Sequence, residues 1–210
     1  MSKIPYGIQG PIIGKIGSIV GSSRKGVPYI KSIPKKRSAK AGPGEAANRS
    51  KFAMAHRWLQ PVLDFVREGF RNYSPTVEGF LAAKSWLLHH AFEGAGPDMR
   101  INAALAKLSH GTLPLSENIA AEKTNDGQLH FSWNRNHVED GHPRDQAILL
   151  AYDIQHAFAN FLVTGQFRET GSDLLRLPID TERTYHIYFA FVAHDRSRQS
   201  DSVYLGTVSQ

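Results

Sequence analysis

TYHIYFAFVA, Thr184–Ala193, alternates Tyr185, Ile187, Phe189 and Phe191 with His186, Tyr188, Ala190 and Val192. A period of two in β-branched and aromatic residues marks a strand. Because both alternating sets are largely apolar, the strand is expected at the centre of a sheet, apolar on nearly both faces.

Further strands are expected at Ala147–Ile154, Ala159–Val163, Leu174–Ile179 and Ser202–Val208, each bounded by turn residues. Leu129–Trp133 alternates after the turn Asn125-Asp126-Gly127. Six or seven short strands over about 95 residues are the pattern of an immunoglobulin- or fibronectin-like antiparallel β-sandwich, expected here over residues 98–210. The chain has no cysteine, so the architecture alone carries over, without a disulfide or thiolate metal ligands.

Upstream the period changes to three and four. Phe52, Ala55, Leu59, Val62, Leu63, Val66 and Phe70 describe an amphipathic helix to about Gly69, kinked at Pro61. Ser74-Pro75 reads as an N-cap followed by proline at the first helical position. From there Val77, Phe80, Leu81, Leu87, Leu88, Ala91 and Phe92 continue a second helix to a stop at Gly94. A short connection makes the two antiparallel, a helical hairpin over 45–97. The fold class is α+β.

Residues 1–44 hold eight of the 18 glycines and five of the 11 prolines, which excludes helix. Gly17–Gly21 and Val27–Lys31 flank Ser22-Ser23-Arg24-Lys25-Gly26, read as a hairpin loop, and PKKRSAKAGPG at Pro34–Gly44 reads as a linker. Nine lysines and arginines fall in the first forty residues and the first acid is Glu45. Against +6 for the whole chain, those nine leave −3 for the rest. A basic arm on a mildly acidic body can attract its own copies or bind nucleic acid. No apolar run is long enough to span a bilayer, and lysines and glycines interrupt every candidate signal-peptide core. Cytoplasmic synthesis is the default expectation, with later release left open.

The N-terminal residues also carry a resemblance. Gly14-Lys15-Ile16-Gly17, Val20-Gly21-Ser22-Ser23, Lys25-Gly26, Tyr29-Ile30 and Pro34-Lys35-Lys36 precede Lys51-Phe52-Ala53, Leu59-Gln60-Pro61 and Phe65 to Phe70. In this order they resemble uncharacterised Bacteroidota proteins grouped as a domain of unknown function, over the whole chain and most densely over 10–92. Arg24 stands where many of those relatives carry an aromatic. The resemblance implies no enzyme, cofactor or substrate.

Chemical motifs are few. Gly10–Lys15 is one residue short of a phosphate loop, with Ile16 where a hydroxyl should hold Mg²⁺. Ser22 and Lys25 have acyl-enzyme spacing in a glycine-flanked turn rather than at a helix start. His137, Glu139, Asp140 and His142 form a run of metal-ligand types, read as a solvated loop between strands. Consecutive His89 and His90 point about 100° apart on a helix and suit its C-terminal dipole rather than chelation. His186, His194 and Asp195 read as core or edge structure, Asp195 pairing with Arg196 or Arg198. No catalytic residue, metal or cofactor is expected.

The expected function is therefore that of a non-enzymatic structural subunit, self-assembling as a filament or phage-derived particle. Its arm would add a strand to a neighbouring copy through Ile12, Ile13, Ile16, Ile19, Val20, Val27, Tyr29 and Ile30. The first alternative is nucleic-acid binding through Lys31, Lys35, Lys36, Arg37 and Lys40. The second is a ligand- or carbohydrate-binding module using sandwich loops, to which Trp133 points.

Overall fold

Of the ten residues Thr184–Ala193, only Thr184 and His186 escape burial. A layer on each side of this strand accounts for that. The computed structural model of the chain describes residues 10–24, 26–35, 42–74, 77–178 and 183–209, in two units, Met1–Glu45 and Ala46–Gln210.

In the first unit β1 (Gly14–Ile16), β2 (Ile19–Arg24) and β3 (Val27–Ser32) form an antiparallel meander. Arg24 lies opposite Val27, and Gly26 has φ +81°, the positive value that a tight hairpin turn requires. The hairpin expected from the sequence is thus present, but Ser22, Ser23 and Arg24 are ladder residues rather than loop.

The second unit begins within α1 (Pro43–Leu59). Pro61 breaks the helix as expected: a 3-10 turn at Gln60–Val62 separates α1 from α2 (Leu63–Gly69). The next helix, α3 (Gly79–His90), starts later than the Ser74-Pro75 reading places it, with Glu78 as N-cap; Pro75 lies outside the described residues. A two-stranded piece follows, β4 (Phe92–Glu93) with β5 (Arg100–Ile101).

Seven strands complete the unit: β6 (Ala120–Lys123), β7 (Gln128–Ser132), β8 (Gln146–Asp153), β9 (Phe158–Leu162), β10 (Ser172–Arg176), β11 (Thr184–Val192) and β12 (Val203–Ser209). They pair antiparallel as two sheets, β10-β7-β6 and β12-β11-β8-β9. β6 was not expected, because Ala120-Ala121-Glu122-Lys123 contains no β-branched or aromatic residue.

The register of β11 on β8 assigns the faces. Tyr188, Ala190 and Val192 lie beside Leu150, Ile148 and Tyr152 in one core, where Leu59, Val62, Phe65, Val66 and Leu87 of the helices cover them. Ile187, Phe189 and Phe191 share the opposite core with Leu149 and Ala151, against Leu129, Phe131 and Leu175 of the smaller sheet. The helices are therefore a third layer over the larger sheet, and that layer is why β11 is apolar on both sides. Two buried tyrosines tie the larger sheet to α1 and to the segment after β5. Tyr152 donates to the Trp58 carbonyl at 2.6 Å and Tyr188 to the Ala103 carbonyl at 2.7 Å; burial raises both phenol pKa values, which keeps the hydroxyls protonated for that role. Among the described residues no helix is long and apolar enough to cross a membrane.

Candidate functional site

In an antiparallel ladder, residues directly opposite each other present their side chains on the same face. The pairs Ile16↔Ile19, Gly14↔Gly21, Ile19↔Ser32, Gly21↔Ile30 and Ser23↔Pro28 therefore put Ile16, Ile19 and Ile30 on one face of the ribbon with no charged residue. Lys15↔Val20, Val20↔Lys31, Ser22↔Tyr29 and Arg24↔Val27 put Lys15, Arg24 and Lys31 on the other, with Val20, Val27 and Tyr29. The expected apolar set is thus divided, Ile16, Ile19 and Ile30 lying on one face and Val20, Val27 and Tyr29 on the other with Lys31.

Gly21 shows what crosses the apolar face. A Cβ there would fall 1.9 Å from the Ile12 carbonyl oxygen and 2.7 Å from Ile12 Cγ2, so the chain ahead of β1 lies across it at Ile12. No apolar side chain of the described ribbon is buried. Val27 is 66% exposed, Ile30 59%, Ile13 46% and Tyr29 42%, and every residue of β3 is exposed. The structure thus gathers Ile12, Ile16, Ile19 and Ile30 on one face and places Val20, Val27 and Tyr29 on the other. Of the cationic candidates, Lys31 lies 5.8 Å from the Tyr29 ring centre and Lys35 is exposed, while Lys36, Arg37 and Lys40 lie outside the described residues.

In the second unit two loops meet at one end of the larger sheet. Val192 pairs with Gln146, so the loop entering β8 and the loop leaving β11 start side by side. Asp145 is buried between them. Its Oδ2 accepts from His142 N at 2.8 Å and from Arg168 Nε and Nη2 at 3.3 and 3.2 Å, and its Oδ1 accepts from His194 N at 3.2 Å. Arg168, only 2% exposed, also donates to Ser116 Oγ and the Pro114 carbonyl and stacks 4.0 Å from the Phe191 ring centre. Above Asp145 the rings of His142 and His194 stack with centroids 4.0 Å apart.

This geometry revises several readings. The run His137–His142 is divided: His142 joins Asp145 and His194, while Asp140 holds Arg198 at 2.5 and 2.9 Å, and these bonds outweigh a little desolvation to lower the Asp140 pKa. Asp195 pairs with neither arginine. It accepts from Ser197 N and Oγ at 2.9 and 2.6 Å, whereas Arg196 reaches Glu68 at 3.0 Å. Trp133 is buried against Phe189 and Phe191 with Nε1 donating to the Arg168 carbonyl, so it offers no open ring to a sugar. His90 stacks on Trp86 at 4.1 Å and His89 binds the Ser85 carbonyl, so the pair does not converge.

A third cluster was not visible in the sequence. Asp201 binds Lys107 and His110 Nδ1, each at 2.5 Å, and the Lys107 ammonium sits 4.5 Å over the Trp86 ring. Burial pushes the Asp201 pKa up, but the bonds from Lys107 and His110 outweigh it and the net direction is down.

A model of a family of unknown function, DUF6266, matches residues 9–206 of the chain. No curated protein and no solved structure matches it.

Proposed function

Since the chain belongs to DUF6266, a family of unknown function, we propose a role from geometry: a non-enzymatic structural subunit that assembles with its own copies through the N-terminal ribbon. The observation that carries this reading is the separation of Ile16, Ile19 and Ile30 from the described cations of the ribbon, on a face where Ile16 and Ile19 are half-buried and Ile30 is exposed. Ile30, 59% exposed on the same face as the half-buried Ile16 and Ile19, leaves apolar surface open to a partner. A second copy is the occupant that charge favours, because the nine cations of the arm meet a body of net charge −3.

Edge pairing can contribute only part of the contact. Pro28 has no N–H to give, and lysine and proline are devices that blunt an open strand edge. On the β3 edge an added strand is thus confined to the Ile30–Ser32 end, and the isoleucine face supplies the rest. A contact between two different surfaces repeats from copy to copy, forming a ring or a filament. The test is sedimentation velocity and negative-stain microscopy of the full chain beside Ile16→Asp/Ile19→Asp/Ile30→Asp. Large species from the first and monomers from the second are expected; assembly that survives the triple change refutes the reading.

The opposite face favours a second reading. Lys15, Arg24 and Lys31 with Tyr29 form a basic surface with one stacking ring, suited to phosphate backbones. Its test is the slope of log affinity for DNA against log salt, and a slope near zero rules it out.

We also propose that β6 to β12 form an immunoglobulin-like sandwich. Lettered A to G in chain order, the sheets read E-B-A and G-F-C with the fourth strand beside C, and such sandwiches place the fourth strand on either sheet. On this reading the loops bearing His142 and His194 are B–C and F–G, at the end where such domains bind.

A further inference from the structure

We propose that His142, Asp145 and His194 form a binding site for a divalent transition-metal ion of the kind that prefers imidazole ligands, with Zn²⁺ as its type. One ligand atom from each of the three lies within 4.8 Å of the others. The ligand atoms of a tetrahedral site with bonds near 2.0–2.1 Å stand about 3.4 Å apart, so closure needs no pair to approach by more than about 1.4 Å. Both histidines are exposed, and rotation of their side chains supplies that movement while Asp145 stays fixed.

Asp145 is suited to be the fixed member. It is buried, and its Oδ2 is engaged by Arg168 and the His142 amide, whereas Oδ1 holds only the His194 amide at 3.2 Å and lies 3.8 Å from His194 Nδ1. The free lone pair of Oδ1 thus faces the imidazoles, while Arg168 orients the carboxylate from behind, as outer-shell partners do in metal sites. Binding costs one bond, the Arg144 N–H to His142 Nδ1 contact at 3.1 Å. If Nδ1 takes the metal, its lone pair is used. If Nε2 does, the ring proton moves to Nδ1, which can no longer accept.

The same features select the ion. A single carboxylate already paired with an arginine is a poor site for Ca²⁺ or Mg²⁺, which need several anionic or carbonyl oxygens. Two imidazoles and one carboxylate suit Zn²⁺, Ni²⁺ or Cu²⁺. Three protein ligands leave coordination positions open, and His142 also lines a cleft of about 200 Å³ with His137, Pro143 and Glu169, room enough for water or a small anion at the metal.

The test is titration calorimetry of the untagged full chain, stripped with chelator, with Zn²⁺ and separately with Mg²⁺. One saturable Zn²⁺ site and no Mg²⁺ heat are expected. His142→Ala and His194→Ala should each lower Zn²⁺ affinity by more than the roughly tenfold that loss of an outer-shell partner costs, while His89→Ala leaves it unchanged. Co²⁺ added to the full chain should give visible absorption that His194→Ala abolishes. Both histidines are exposed, and circular dichroism confirms that the variants remain folded. Absence of a saturable Zn²⁺ site, or a site that survives His194→Ala, overturns the proposal.

Discussion

Arg168 is almost wholly buried, and three groups tie its guanidinium: the Asp145 carboxylate, the Ser116 hydroxyl and the Pro114 carbonyl. Removing one member of a buried pair leaves the other charged and uncompensated, which costs about 3–5 kcal/mol. Arg168→Met is therefore expected to lower the urea midpoint by an amount equivalent to that loss, far more than removal of the exposed Arg67–Asp64 pair, whose value is about 0.5 kcal/mol. Asp201 offers a test by pH. Its folded pKa lies below the ordinary carboxylate value of about 3.9. Such a group adds stability above its unfolded pKa and loses it as pH falls through the folded one. The stability difference between the parent and Asp201→Asn should accordingly be full at pH 5 and close as the pH is lowered below about 4. Denaturant midpoints across that range decide it; a gap constant down to pH 2.5 would contradict the assigned direction.

Strand β11 decides between two layers and three. In a two-layer arrangement one face of a strand is solvated, and truncation there costs little. Here Tyr188 faces the helices and Phe189 the smaller sheet, both fully buried. Tyr188→Ala and Phe189→Ala should each cost about 3–5 kcal/mol, measured by chemical denaturation, and a Tyr188→Ala cost near zero would remove the helical layer from that face. The alternation in TYHIYFAFVA made this strand legible, and its doubly apolar character already contained the third layer. What the sequence left hidden has physical causes. β6 is held by pairing with β7 rather than by residues that favour strands. The start of α3 follows its packing, since an added Cβ at Gly79 would stand 3.1 Å from the Val66 and Arg67 carbonyls, whereas Ser74-Pro75 offered only a local signal. The cluster of His142, Asp145 and His194 depends on the pairing of Val192 with Gln146, and no spacing along the chain displays it. In the ribbon, by contrast, alternation alone separated the isoleucines from the lysines once the register was known.

For the molecule as a whole, the arm and the body carry opposite charge, and the arm carries its apolar and basic surfaces back to back. Two forces can therefore join copies, and they answer differently to salt. Screening shortens the reach of charge from about 10 Å at 0.1 M to about 3 Å at 1 M, while apolar contact persists. If the isoleucine face is the connector, assembly should weaken across that range without disappearing. Lys15→Glu/Arg24→Glu/Lys31→Glu should then flatten the salt dependence and leave assembly in place, because those side chains lie on the opposite face. The triple aspartate change at Ile16, Ile19 and Ile30 should abolish it at every salt concentration. Sedimentation velocity at matched protein concentration reads all three. Should the charge reversal dissolve the assembly while the aspartates spare it, the basic face is the connector, and an anionic partner surface replaces the isoleucine contact.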